Sequence, residues 1–90
     1  MIKRSVRLDD INPRILGADY YPFRAGETHG PRIGYAHCFI YIKSGRGTVE
    51  IGRMEYKAKP HDLFYIEPGV RHFFRADPAH PMMHASVYVD

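Results

Sequence analysis

Residues 59–74, KPHDLFYIEPGVRHFF, constrain the fold of this chain more than any other stretch. A short apolar run at 63–66 ends at Glu67-Pro68-Gly69, and a second, aromatic run follows at 72–74. Two β-rich runs separated by Pro-Gly predict two strands joined by a tight turn, that is, a hairpin. Pro68 has the φ that the first central residue of a turn needs, and Gly69 can adopt the positive φ that follows. The other elements are placed relative to this predicted hairpin.

The residues upstream carry weaker signals. Residues 1–13 mix charges with little periodicity and end in Asn-Pro, a pair that disfavours helix. We expect this segment to be an N-terminal arm that is ordered only where it docks. Residues 14–23 predict one strand, interrupted by Gly17. Residues 24–34, with three glycines and a proline, predict a loop.

From residue 35 onward the strand signals are stronger. Residues 36–43 are rich in β-branched and aromatic side chains and predict a buried strand. Residues 48–51 and 54–58 alternate, and the connection Gly52-Arg53 between them suits a primed hairpin turn. A last strand is predicted at 83–89. About six or seven short strands with almost no helix predict an all-β sandwich or barrel.

Composition excludes several classes of protein. No apolar run approaches the roughly 18 residues that a membrane span needs, and the start of the chain lacks the apolar core of a signal peptide. The single cysteine, Cys38, cannot form an internal disulfide, so a cytoplasmic protein is expected. The net charge of +3 is modest, and no helical pattern is long enough for a DNA-recognition helix. These residues are therefore not expected to bind membrane or nucleic acid themselves.

Two ordered motifs resemble a known family. Residues 41–47, YIKSGRG, match a strand ending in Y-x-x-x-G-x-G, and residues 60–72, PHDLFYIEPGVRH, match P-G-D-L-x-x-I-P-P-G-x-x-H. In the second motif His61 and Glu67 replace a glycine and a proline. Together with the aromatic strand at 84–89, these motifs are similar to the N-terminal cupin domain of AraC-type transcription regulators. The resemblance implies a small cupin-like double-stranded β-helix, or jelly-roll, barrel, truncated relative to that family.

The same resemblance implies a small-molecule sensor. The barrel of such regulators holds an effector, often a sugar or another small metabolite, and the arm that precedes the barrel responds to it. A separate C-terminal domain with two helix-turn-helix units binds DNA. The sequence stops at Asp90, before the dimerisation helices and the DNA-binding domain. We therefore expect residues 14–90 to be the cupin-like effector-binding domain of a fragment or of a stand-alone relative.

The second motif also implies which side chains face the barrel interior. The position of His72 is interior in cupins, and because alternate strand residues point to opposite faces, Phe74 is expected inside as well. Their neighbours on the strand are expected outside: Arg71, Phe73 and Arg75. The same alternation places three side chains of an earlier strand inside: Cys38, Ile40 and Ile42.

Five residues are predicted to contact an effector: His72, Phe74, His84, Ser86 and Tyr56. His84 and Ser86 occupy interior positions of the last strand, where a polar group is costly to bury unless it meets a partner. Tyr56, like Met54, is expected to point inward from its alternating strand, where its ring can stack on a sugar. Core packing is the alternative for Phe74 and Tyr56, and a backbone-bonded buried histidine is the alternative for His72.

Metal-binding cupins use two histidines separated by one residue, a glutamate a few positions on, and a third histidine in the second motif. Only His72 matches that set, because the glutamate position falls on Cys38 and the paired positions fall on residues such as Pro31 and Ile33. Zinc, iron and manganese sites need three or more protein ligands. The sequence therefore predicts no metal, no cofactor and no catalysis, and Cys38 is expected to be a small core residue.

The predicted function is non-catalytic sensing of a small molecule, a sugar or a related metabolite, by a homodimer that contacts DNA only through the missing C-terminal domain. Two alternatives remain: a small metal-dependent cupin enzyme, such as an isomerase or a dioxygenase, and a dimerisation module without a ligand. The dimer prediction rests on residues 84–89, which we expect to form an open sheet edge. Such an edge, or the N-terminal arm, would pair with a second copy.

Overall fold

The computed structural model describes residues 15–90, which form eight strands and no helix. The strands are β1 (Ile15–Pro22), β2 (Thr28–Ile33), β3 (His37–Ser44), β4 (Gly47–Ile51), β5 (Met54–Ala58), β6 (Leu63–Ile66), β7 (Arg71–Ala76) and β8 (Met83–Val89). The all-β prediction is confirmed, whereas the predicted arm at 1–13 lies outside the described residues. Among those residues there is no apolar helix of a length that could cross a bilayer.

The eight strands form two four-stranded antiparallel sheets that face each other. Sheet 1 has the order β1-β8-β3-β6, and sheet 2 has the order β2-β7-β4-β5. The core lies between them and consists of inward side chains of both sheets, of which the largest fully buried ones include Ile40, Ile42, Val49, Ile66 and Met82. Since strand side chains alternate between two faces, each sheet also has an outer face.

Residues 59–74 form a crossing between the two sheets, so the predicted hairpin is wrong. β6 pairs with β3 in sheet 1, whereas β7 pairs with β2 and β4 in sheet 2. The turn itself is as predicted, because the Val70 N–H donates to the Glu67 carbonyl at 3.3 Å and Gly69 has a φ of 81°. Local turn chemistry was sufficient to predict the turn, but the partner of each strand is set by distant residues.

The segment predicted as a loop at 24–34 contains a strand, so that prediction is wrong in part. β2 pairs with β7 from Thr28, opposite Arg75, to Ile33, opposite Arg71, with an irregularity in the middle. Gly30 lies at that irregularity with a φ of 97°, and an added Cβ there would lie 2.8 Å from a β7 carbonyl. Glycine therefore allows the close backbone approach within a strand, rather than ending it.

The last strand is not an edge, which contradicts the expectation that residues 84–89 are left open. β8 lies between β1 and β3 and pairs with both along its length. The partner that covers it is β1, which was predicted as a strand but not paired with any element. Among the described residues the sheet edges are instead β1 and β6 in sheet 1, and β2 and β5 in sheet 2.

Met54 and Tyr56 face inward, as predicted, but neither is buried. Both share the face of the inward residues of β4, because Tyr56 is the register partner of Val49 and Met54 that of Ile51. Nevertheless Met54 is 59% exposed and Tyr56 is 40% exposed. β5 is an edge strand whose inner face is covered at its end, where Ala58 is 3% exposed, and less so toward its start, where Tyr56 has a ring contact with Phe64.

Candidate ligand-binding site

The predicted alternation of inward-facing and outward-facing side chains along β3, β7 and β8 is confirmed. On β7, His72 and Phe74 are buried while Arg71 and Arg75 are exposed. On the two neighbouring strands of sheet 1, the inward side chains are buried too: Cys38, Ile40, Ile42, His84 and Ser86. The interior therefore receives polar side chains from both sheets.

These polar side chains line a cavity of about 140 Å³ between the sheets. Four of the five residues predicted to contact an effector lie on its wall: His72, Phe74, His84 and Ser86. Tyr56 does not, because it lies on the edge strand β5. The sequence reading missed five further wall residues: Asp19, Tyr21, His29, Arg32 and Tyr88. Most of these come from β1 and β2, whose pairing could not be inferred locally.

Ser86 and Asp19 form a hydrogen bond at one side of the cavity. They are opposite each other in the β1–β8 ladder, and the Ser86 hydroxyl donates to Asp19 Oδ1. Ser86 is only 1% exposed, so its hydroxyl depends on this protein partner. The pair therefore supplies a fixed carboxylate with acceptor capacity remaining for a ligand hydroxyl.

His84 is the least satisfied polar side chain of the cavity. It is 5% exposed, and its Nδ1 has no hydrogen-bond partner among the described residues. Burial lowers the pKa of His84 below the ordinary value of 6.5, so its ring is neutral at pH 7. Its closest ring neighbours are Phe23 and Phe74, with centroids 5.1 and 5.8 Å away. A buried nitrogen left without a partner costs free energy, which a ligand or a water would recover.

His72 is held by the backbone of its own strand. Its Nδ1–H donates to the Val70 carbonyl at 3.3 Å, which leaves Nε2 as an acceptor when the ring is neutral. Burial lowers the pKa of His72. The hydrogen bond to the Val70 carbonyl acts in the opposite direction, and the positive charge of Arg32 adds a smaller lowering effect. His72 is thus a buried histidine bonded to the backbone, the alternative considered above, and its free Nε2 still allows it to contact a ligand in the cavity.

A carboxylate just outside the cavity fixes two of its rings. Glu27 accepts hydrogen bonds from the Tyr21 hydroxyl, from His29 Nε2–H at 2.7 Å and from the Arg24 backbone N–H at 2.8 Å. The Tyr21 bond is the main reason that the pKa of Glu27 is lowered to about 2. The rings of Tyr21 and His29 are 4.6 Å apart, so this carboxylate orients one wall of the cavity.

A second cavity of about 220 Å³ adjoins the first and shares four wall residues with it: Arg32, Cys38, His72 and Tyr88. Its remaining wall is formed by Gly34, Tyr35, Ala36, Ile66 and Glu67. Tyr35 is almost fully exposed, so this cavity lies toward solvent. The two cavities together offer a polar end and a more apolar end for one small molecule.

The described residues do not fit the metal site of metal-binding cupins. Nowhere in residues 15–90 do three or more His, Cys, Asp or Glu side chains converge on one point that could hold a metal ion. Cys38 belongs to the hydrophobic core, as predicted, and also reaches the cavity wall. Burial raises the pKa of its thiol to about 11, so Cys38 is not a thiolate at neutral pH.

Solved structures with this fold are similar to the chain at low sequence identity. A protein of Bacillus halodurans is 20% identical over 98% of this chain and 81% of that one, with a TM-score of 0.77. An RmlC-like cupin from Shewanella frigidimarina is 17% identical over 84% and 73%, with a TM-score of 0.71. A cupin 2 conserved barrel domain protein from Rhodopseudomonas palustris is 21% identical over 87% and 59%, with a TM-score of 0.69. At these identities the likeness shows the fold alone, and it confirms the predicted cupin-like barrel.

No curated protein gives a significant match to the chain. A family model, in contrast, matches most of it. The model of the AraC-like ligand binding domain covers residues 19–90, and so includes every residue of the cavity wall. The match begins at Asp19, whose carboxylate holds Ser86, and extends through β8. The resemblance inferred from the two motifs is confirmed: the chain belongs to the family of AraC-like ligand binding domains.

Proposed function

We propose that this domain binds a small hydroxylated molecule, a sugar or a related metabolite, in the cavity between the sheets and signals its presence without transforming it. The observation that carries this proposal is the buried Nδ1 of His84, which has no hydrogen-bond partner in the described part of the chain and lies in a cavity wall. Buried polar groups are normally satisfied, so an unsatisfied one inside a cavity points to a missing hydrogen-bonding partner.

The chemistry of the wall supports a hydroxylated ligand. Asp19 offers carboxylate oxygens, and His72 and His84 offer both donor and acceptor nitrogens as neutral rings. Phe74 supplies a flat apolar surface in contact range of both histidine rings, with centroids 5.6 Å from His72 and 5.8 Å from His84. Sugars combine hydroxyl groups with an apolar ring face, which is the combination that this wall complements.

A non-catalytic role is supported by the state of the groups in the cavity. The Cys38 thiol is protonated at neutral pH and is therefore a poor nucleophile. The Glu27 carboxylate next to the cavity is engaged by three donors and fixes side chains rather than facing the cavity. These groups are suited to hold a ligand in one orientation.

The family points to gene regulation as the purpose of ligand binding. We assign DNA binding to a separate domain of a longer regulator, and we place the protein in the cytoplasm, where such a regulator acts. Ligand in the barrel would bias how the DNA-binding domain is presented, through an arm or an interface that has two arrangements.

We further assign a homodimer to the outer face of sheet 1. One row across this face consists of Tyr20, Ala85, Tyr41 and Leu63, and the next consists of Ala18, Val87, Phe39 and Tyr65. Tyr20 and Leu63 are each 65% exposed. A contiguous apolar face of this kind marks an interaction surface, and a two-fold dimer covers it on both copies at once.

Calorimetric titration with a panel of pentoses, hexoses and their acids tests the proposed binding. We expect at least one of them to bind with 1:1 stoichiometry. His84→Ala should then weaken the binding of that compound about 5- to 150-fold, the range for losing one hydrogen bond to a buried partner. His80→Ala, in the exposed loop after β7, is the matched control and should leave the affinity unchanged.

Three results would contradict the proposal. The first is that none of these compounds binds, which favours a dimerisation module without a ligand. The second is that the purified protein retains one equivalent of iron, zinc or manganese through chelation, which favours a metal-dependent cupin enzyme. Equal affinity of the His84→Ala variant for a bound sugar would place the site elsewhere in the barrel.

A further inference from the structure

A third concave site lies on the outer side of sheet 2, away from the barrel interior. It has a volume of about 350 Å³ and is lined by Arg46, Gly47, Thr48, Lys57, Ala58, Arg75, Ala76, Asp77 and Pro78. We call this the outer groove. Three of its side chains are cationic and one is anionic. The 140 Å³ cavity between the sheets, which we call the inner cavity, instead combines apolar, aromatic and polar side chains.

The strand register brings two of the cations to opposite sides of one hydroxyl. Thr48 on β4 is the register partner of Lys57 on β5 and of Arg75 on β7. Register partners project from the same face of a sheet, and adjacent strands are about 4.8 Å apart. The Thr48 side chain therefore projects between those of Lys57 and Arg75, whose guanidinium carbon lies 5.5 Å from the centroid of the Phe73 ring on the same face. Arg46 precedes the same strand and adds a third positive charge at this end.

The groove lies where three strands end, and the next row across them consists of Gly47, Ala58 and Ala76. This row faces the core, because Ala58 and Ala76 are 3% and 0% exposed and an added Cβ on Gly47 would lie 2.8 Å from the Met82 sulfur. Since alternate strand residues point to opposite faces, this row contributes mainly backbone to the groove, and the outward row of Thr48, Lys57 and Arg75 supplies its side chains.

The cations of the groove lack carboxylate partners in the described part of the chain. Elsewhere on the same sheet face, Arg71 lies 4.0 Å from Glu50. No carboxylate of residues 15–90 is within that distance of Arg46, Lys57 or Arg75. Asp77, which lines the groove, uses its Oδ2 atom to accept the backbone N–H groups of Ala79 and His80, at 2.9 and 2.7 Å. The row is thus left with an excess of positive charge, which is unfavourable unless an anion binds.

We propose that the outer groove binds the phosphate group of a small phosphorylated molecule. A tetrahedral dianion can accept two parallel N–H bonds from Arg75, one from Lys57 and the hydroxyl proton of Thr48. Arginine and lysine recognise phosphate in these two ways, as a planar fork and as a point charge. This site is separate from the inner cavity and does not depend on the function proposed for it.

Titration with inorganic phosphate and with pyrophosphate, followed by NMR of the backbone amides, tests the proposal at physiological ionic strength. We expect saturable shifts centred on Gly47 and Thr48, with pyrophosphate binding more tightly than phosphate. Arg75→Gln and Lys57→Gln should each weaken binding about 3- to 10-fold, as expected for the loss of one partly exposed charged contact. Arg71→Gln removes an equal charge from the same strand face and should change the affinity less than about 2-fold.

Three results would overturn the proposal. One is the absence of saturable shifts at millimolar phosphate and pyrophosphate. Another is an equal loss of affinity in the Arg71→Gln control, which would make the effect one of overall charge. The third is that neither phosphate nor pyrophosphate binds, while a short DNA duplex binds to the unmodified chain and not to Lys57→Gln. This result would identify the groove as a nucleic-acid contact.

Discussion

Asp19 and Ser86 are 67 residues apart in sequence and face each other across the β1–β8 ladder, where the Ser86 hydroxyl donates to the Asp19 carboxylate. This bond fixes one side of the inner cavity and joins the first described strand to the last one. Because Ser86 is almost fully buried, replacement of Asp19 takes away a charged acceptor that water cannot easily replace. The bond therefore affects both stability and the shape of the site.

We expect Asp19→Ala to lower the free energy of unfolding by about 1–3 kcal/mol, since it removes a hydrogen bond from a buried hydroxyl to a charged acceptor. Urea denaturation measures this change. Ser44→Ala, at the exposed end of β3, is the control and should shift the free energy by less than about 0.5 kcal/mol. If Ser86→Ala in the Asp19→Ala background costs as much as it does alone, the two side chains are not coupled.

The buried histidines predict a loss of stability in mild acid. The pKa values of His72 and His84 in the folded state lie below 6.5, so the unfolded chain binds more protons as the pH falls through that value. The free energy of unfolding should therefore decrease from about pH 7.5 to about pH 5.5. His84→Gln should reduce this slope, whereas the exposed-loop variant His80→Gln should retain it. A pH-independent urea midpoint over this range would show that neither ring resists protonation.

Two glycines share a positive φ but differ in the space around them, so they separate backbone strain from steric clash. Gly45 has a φ of +77° and an added Cβ would lie 2.2 Å from the Pro81 carbonyl, whereas Gly26 has a φ of +69° with nothing within 4 Å. Gly26→Ala should cost about 1–2 kcal/mol of stability, for the backbone conformation alone. Gly45→Ala should cost about 3 kcal/mol or more, because a backbone clash adds to the same conformational strain. Equal losses in thermal or urea unfolding would show that the loop before β8 can move away.

The proposed dimer predicts a specific loss of assembly. Leu63→Glu places a charge on the apolar outer face of sheet 1 and should convert the dimer to a monomer in sedimentation velocity. The monomer fold should be unaffected, because Leu63 is 65% exposed. Met54→Glu, at a similarly exposed position of sheet 2, should leave the dimer intact. A 10.4 kDa monomer for the unmodified chain would contradict the assignment of this face.

The parts of the site that could be predicted from sequence are those encoded locally. The turn at Glu67 to Val70 and the alternation around His72 depend on neighbouring residues and on a recognisable motif, and both are as expected. Asp19 and His29 were missed because they enter the cavity only through pairing with β8 and β7. Nothing in the Gly- and Pro-rich residues 24–34 indicates a strand until β7 is available as a partner.

The same limit explains the error about β5 and β8. Alternation gave the correct face for Tyr56, but burial depends on what lies opposite, and β5 is at a sheet edge. For β8 the reasoning that an open edge needs a partner was sound, yet the partner is β1 of the same chain. Strand order is a non-local property, and in an all-β fold it decides which side chains are covered.

The central place of β8 in sheet 1 has a consequence for biosynthesis. β1 and β3 are bridged only by β8, the last of the eight described strands to leave the ribosome. Until residue 89 has been translated, a nascent chain exposes the unpaired edges of both flanking strands, and the inner face of sheet 2 lacks its complete covering sheet. Sheet 1 is therefore completed late, through contacts between residues that are distant in sequence. We expect the barrel to fold after synthesis rather than strand by strand. Its partly synthesised intermediates are then the species that chaperones would bind.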